Sequence, residues 1–184
     1  MNSNNVSFGK PNATGAVYVA PYGTTVPTSA STNLNAAFKN VGYISEDGLV
    51  NEVSTDVETV KAWGGDTVLT GQSSFEETFT FNAIETNEEA LKLYYGADNV
   101  VVSGSEITIK QNSAPLPRIS VVIETVLTGN RIKRIVIENA QIADRSGEIS
   151  YTDSTAISYP IKLTALPDSN GDTHAEYIAQ VQGS

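Results

Sequence analysis

Residues 118–138 read RISVVIETVLTGNRIKRIVIE. The run from Arg118 to Thr128 is rich in β-branched side chains, Gly129-Asn130 follows, and Arg131 to Glu138 repeats the pattern. Such side chains pack well on a pleated surface and crowd a helical one. Two runs of this kind joined by Gly-Asn predict an antiparallel hairpin. Gly at the first loop position predicts a type II′ turn, whose twist matches that of the flanking strands. In the second arm Ile132 falls out of phase with Ile135 and Ile137, which predicts a bulge near Lys133 and Arg134.

Working outward, residues 73–82 alternate, with Phe75, Phe79 and Phe81 facing in and Glu76, Thr78 and Thr80 facing out, as in a strand buried on one side. Short strands are expected at Val100–Val102 and Glu106–Lys110, and another at Ile157–Leu163 with Tyr159, Ile161 and Leu163 inward. Pro160 lacks an amide donor, which places that strand at an edge or that position at an irregularity. Nearer the start, strands are expected at Ala16–Ala20 and around Phe38, Val41, Tyr43 and Ile44, with Ser45-Glu46-Asp47-Gly48 as a turn. From Val53 to Trp63 an interrupted strand pattern ends at Gly64-Gly65, which predicts a long, partly exposed hairpin over residues 46–66. One short helix is predicted from Thr86, whose hydroxyl caps the first turn while Glu89 reaches back, to a stop at Gly96. Residues 1–15 mix Asn, Ser, Gly and Pro without periodicity and are expected to form a flexible arm. The fold class is therefore mostly β, and the 184 residues are expected to form a single domain.

The absence of cysteine excludes disulfides, thiolate metal ligands and cysteine nucleophiles together. The opening MNSNNVSFGK lacks the apolar centre of a signal peptide, and no segment approaches the roughly 18 apolar residues of a membrane span. Synthesis in a cytoplasm and no membrane anchor are expected. Residues 1–45 hold two lysines and no acid, and residues 46–106 hold 13 acids against Lys61 and Lys92. Residues 107–184 are near balance, with 8 acids and 7 bases. A middle third this acidic repels phosphates, which argues against a DNA-binding role, although an acidic solvated surface is the commoner reason for such a stretch.

Motifs that would carry catalysis fail on their own terms. His174 is the only histidine and lies in a polar segment, as a surface histidine does. Gly71-Gln72-Ser73-Ser74-Phe75 ends in Phe where a nucleophile elbow needs Gly, and it precedes a strand. Asp168, Asn170 and Asp172 are spaced like calcium ligands, but Thr173 replaces the turn Gly and Ala179 the bidentate Glu, so a plain turn is expected. Glu76 and Glu77 point to opposite faces of a strand and cannot act as an acid/base couple. No catalytic, metal or cofactor residue is assigned, and the protein is not expected to be an enzyme.

Three stretches carry a resemblance. VYVAPYGTTVPTSASTNLNAAFKNVGYISEDGL (17–49) with VKAWGGDTVLT (60–70), and ENAQIADRSGEISYTDSTAISYPIKLTALPDSNGDT (138–173), resemble the N- and C-terminal halves of siphophage major tail tube proteins, especially those of phages infecting Gram-positive and actinobacterial hosts. The resemblance implies two packed β-sheets, sandwich- or barrel-like, with a flanking helix. It also implies hexameric rings stacked into a tail tube that delivers DNA through its lumen without sequence-specific binding. The implied partners are other copies of the chain, the tape measure protein, and the tail terminator and distal tail proteins, in the virion tail. On that reading the arm, with Phe8, and the 46–66 segment, with Glu46, Asp47, Trp63 and Asp66, are the candidate inter-subunit contacts. A secreted or surface carbohydrate-binding β-sandwich is the alternative, suggested by the Tyr, Trp, Asn and Asp content.

Overall fold

The computed structural model describes residues 6–145 and 147–180. Among them, in chain order, are β1 (Gly9–Pro11), β2 (Val17–Pro21), β3 (Lys39–Asn40), β4 (Ile44–Lys61), β5 (Thr67–Ala83), α1 (Glu88–Tyr95), β6 (Val100–Ser103), β7 (Glu106–Ile109), β8 (Ile119–Leu127), β9 (Arg131–Asp144), β10 (Tyr159–Ala165) and β11 (Ala175–Gln180). Nine strands make one antiparallel sheet in the order β3-β2-β8-β9-β10-β5-β4, and β6 with β7 makes a second, two-stranded sheet. β1 follows β2 along one edge of β8, while β11 follows β10 along one edge of β9. Among the described residues the fold is mostly β, with two sheets and one α-helix, and the large sheet is not a closed barrel.

The hairpin that opened the sequence reading is the centre of the sheet, because β8 and β9 are apolar on both faces. Val121, Ile123, Ile135 and Ile137 join Phe79, Phe81, Ile161 and Leu163 in the main core, which α1 closes with Ala90, Leu91, Leu93 and Tyr94. Val122 and Val136 turn to the opposite face and meet Ala20 and Phe38 beneath Val26 and Leu34 of the segment between β2 and β3. Burying each such side chain contributes about 1.5–3 kcal/mol, so these two strands anchor both layers.

This two-sided burial explains why the expected bulge lies elsewhere. Ile132 shares its face with Val136, which is buried, so its phase needs no correction at Lys133 and Arg134. The register instead shifts between Ile119 and Val121, opposite the Glu138–Asn139 step, where the Ser120 hydroxyl donates to the Glu138 carbonyl at 2.7 Å. The turn also differs from type II′. Leu127 pairs with Arg131, leaving the three-residue loop Thr128-Gly129-Asn130, and φ is positive at both Gly129 (81°) and Asn130 (55°). Neighbouring segments hold this loop: the Phe8 backbone amide donates to Thr128 Oγ1 at 3.1 Å and Gln180 Nε2 to the Gly129 carbonyl at 2.8 Å.

Other expectations move by a residue or a face. Ser45–Gly48 is a bulge inside β4 rather than a turn: the register jumps from Ile44 opposite Ala83 to Leu49 opposite Phe81, and Gly48 supplies the left-handed φ of 74° that an L side chain resists. The helix cap is Asn87, whose side chain accepts from the Ala90 amide, while the Thr86 hydroxyl hydrogen-bonds that of Tyr159 instead. Gly96 ends the helix at φ 98°. β10 is an interior strand, but β9 pairs with it only from Lys162 onward, so Pro160 lies outside that ladder. Within the expected arm, Gly9–Pro11 is paired with Thr125–Leu127, because β2 leaves that part of the β8 edge open; residues 1–5 lie outside the described ones.

Candidate assembly surfaces

β4 and β5 are far longer than the strands beside them. β10 pairs with β5 only from Glu77 to Ala83, whereas β4 and β5 continue together from the Ser54–Glu76 pair to the Lys61–Thr67 pair. Eight residues of strand at about 3.3 Å each carry this two-stranded ribbon some 26 Å beyond the end of its pairing with β10. Its tip is closed by the Ala62 amide on the Asp66 carbonyl at 2.7 Å and the Gly65 amide on the Ala62 carbonyl at 3.0 Å. Every residue from Val50 to Glu76 is exposed.

The ribbon has two unlike faces, as its register and the alternation of strand side chains dictate. Val53, Thr55 and Val57 lie beside Phe75 and Gln72, on the face that continues from the core residues Phe79 and Phe81. Glu52, Ser54, Asp56 and Glu58 lie on the other face, beside Ser74 and Glu76. Phe75, expected inward, is therefore on the correct parity but 50 % exposed, since the described residues cover that face only in part so far out. A two-stranded ribbon alone in water is marginal, and its unpaired edges and bare apolar face are a template for another chain.

The sequence-derived contact residues fall into separate places. Trp63 and Asp66 share the tip turn, where Trp63 is wholly exposed at 107 %. Glu46 and Asp47 are exposed in the β4 bulge at the ribbon root, with the Ser45 hydroxyl on Asp47 Oδ2 at 3.2 Å. Phe8 is exposed next to β1. Glu46 lines the same groove of about 1050 Å³ as Gly9 and Pro11, so the arm and the ribbon root border one concavity.

Two buried polar clusters escaped the sequence reading. Glu77 sits on the inward face of β5 at the ribbon root, where its carboxylate accepts from Thr173 Oγ1, from Asn51 Nδ2 at 2.8 Å and from His174 Nδ1 at 3.0 Å. Burial alone would raise its pKa, but these donors together outweigh it and hold the carboxyl below the usual Glu value. His174, expected at the surface, is instead largely covered, with its ring edge-on to Phe79 at 5.7 Å. The signal available was Glu77 itself, an acid in phase with Phe75, Phe79 and Phe81. In the second cluster Arg134 faces Glu124 across the β8/β9 ladder, each side chain 7 % exposed. Arg134 Nη1 also donates to the carbonyls of Ser29 (2.7 Å) and Thr32 (2.6 Å), and Asn12 Nδ2 donates to Glu124 Oε2 at 2.9 Å. One ion pair thus pins the loop over the second core layer and the segment following β1.

Asp168 heads a tight turn, its Oδ1 accepting from the amides of Asn170 (2.7 Å) and Asp172 (3.0 Å). These amides hold its pKa below the ordinary value. Among the described residues no cluster of three or more His, Cys, Asp or Glu is placed to hold a metal, and no helix is long and apolar enough to cross a membrane. The prominent features are surfaces for association. In comparison with known families, the model for phage tail tube protein matches residues 1–182. Comparison with the curated proteins gives no match.

Proposed function

The chain belongs to the phage tail tube protein family, a structural component of the virion tail, and we propose that its copies close into hexameric rings stacked as the tube of a long, flexible tail. The observation that carries this reading is the β4/β5 ribbon, which exposes Val53, Val57, Phe75 and Trp63 on a projection with unpaired edges. Adjacent copies pair edge strands around a ring, and the ribbon with the arm reaches the next ring. Heterologous contacts are required, since only they both close rings and permit open stacking. Trp63 is the anchor, because an interfacial Trp buries a large area while its indole N–H still finds a partner.

The acidic ribbon face, with Glu52, Asp56, Glu58 and Glu76, supports a conduit whose wall repels phosphates and lets DNA slide during delivery into the host cell. The tape measure protein occupies the growing tube, and terminator and distal tail proteins meet its ends. Assembly takes place in the host cytoplasm. Replacing residues 54–76 by a two-residue turn tests the reading: the variant should stay folded by circular dichroism and fail to form tubes under negative stain. Normal tubes from it would refute the role of the ribbon.

A further inference from the structure

If the ribbon tip reaches a neighbouring copy, as the proposed function holds, something on that copy must receive it. A cleft of about 380 Å³ lies between α1 and the β2/β8 margin, floored by Leu93, Leu116, Ile119 and Ile142. That volume is in the range, about 300–1,000 Å³, of clefts that enclose a compact apolar group. The cations Lys39, Lys92 and Arg118 line it against the single acid Glu89; Lys39 and Arg118 are exposed and in no ion pair among the described residues, whereas Lys92 pairs with Glu88.

The ribbon is the complement in charge and in shape. Residues 50–76 carry Glu52, Asp56, Glu58, Asp66 and Glu76 against Lys61 alone, and the tip offers one bare indole beside one carboxylate. An indole seated among aliphatic side chains beneath Arg118 gains both apolar burial and cation–π attraction.

Position agrees as well. In the sheet register Glu77, Ala165, Ala140, Ile119 and Pro21 lie in one row. The ribbon leaves that row toward the Thr128–Asn130 turn, whereas α1 follows the opposite end of β5. Tip and cleft are thus at opposite poles of the subunit, as open head-to-tail stacking needs. The described chain ends do not compete for the cleft. Phe8 contacts Thr128 and Gln180 pairs with Arg131, both at the far end of β8 from Ile119.

We propose that this cleft is the receptor for the ribbon tip of a second copy of the chain, with Trp63 on the apolar floor and Asp66 at Arg118. The full-length protein tests it by charge reversal and by cross-linking. Arg118→Glu should raise the concentration needed for tube formation about tenfold or more, and Asp66→Arg added to it should restore most of the loss. Circular dichroism should be unchanged throughout, since both side chains are exposed. Because the chain has no cysteine, Asp66→Cys with Arg118→Cys should give an oxidised ladder of covalent multimers in tubes, and neither single variant should. Normal assembly of Arg118→Glu, loss without restoration, or tubes of the double cysteine variant without a ladder would overturn the receptor assignment. In those cases tube formation by the native chain still stands; failure of the native chain to form tubes would instead sink the proposed function.

Discussion

Trp63→Ala separates an assembly role from a folding role. The side chain is 107 % exposed at the tip of a ribbon, so its loss removes no internal packing and should change the free energy of unfolding by less than about 0.5 kcal/mol. In an assembled tube a Trp buries on the order of 200 Å². At about 25 cal/mol per Å² that amounts to about 5 kcal/mol. Ordering the side chain costs about 0.5–1.5 kcal/mol and alanine retains part of the contact, which leaves about 3 kcal/mol per anchor, in the range of interface hot spots. At 1.4 kcal/mol per factor of ten, the concentration at which tubes form should rise more than about 100-fold. Pelleting across a dilution series reads that concentration, and urea unfolding of the unassembled protein reads the stability. Tubes at concentrations within about threefold of the native value would refute the anchor role, because a contact of that size cannot be lost without a shift far larger. A fall in monomer stability of several kcal/mol would instead make Trp63 a packing residue.

Arg134→Ala should be severe in the isolated subunit: it leaves the Glu124 carboxylate buried without its partner and should cost about 3–5 kcal/mol, whereas replacing both residues by leucine should recover most of it. Equal stabilities of the native and Arg134→Ala proteins in urea would contradict the network. Glu77 predicts a pH dependence. Its folded pKa is below the ordinary value of 4.5, so its stabilising effect is full above that value and disappears as pH falls below it through the lowered folded pKa. Stability measured between pH 7 and pH 3 should therefore fall more steeply in the native protein than in Glu77→Gln, and superimposable profiles would refute this. Asn87→Ala should lower stability by about 1 kcal/mol through loss of the helix cap, and Thr86→Val should not do so by that route.

Much of the sheet was legible because alternation reports parity directly: Phe79, Phe81, Tyr159, Ile161 and Leu163 are all buried where the pattern put them. Parity does not report whether anything covers a face, which is why Phe75 shares the phase of Phe79 but stands in solvent. Nor does it distinguish a strand buried once from one buried twice, so Ile132 suggested a bulge that two-sided burial makes unnecessary. β11 was missed because Ala175–Gln180 is short and its exposed Ile178 and half-buried Tyr177 give no clean alternation. Beyond the phase of Glu77 itself, neither its cluster nor the cleft at Arg118 had a local signal. Each joins segments distant in the chain, Asn51 with Thr173 and His174 in one case, Lys39 with Leu93 and Arg118 in the other.

The central claim is that this subunit works by assembling with itself. Negative-stain microscopy of the purified native chain, concentrated in physiological salt, tests it most directly: the account predicts hollow tubes of uniform diameter with six-fold end views. Persistent monomers at every concentration, with the ribbon intact and the protein folded, would contradict it.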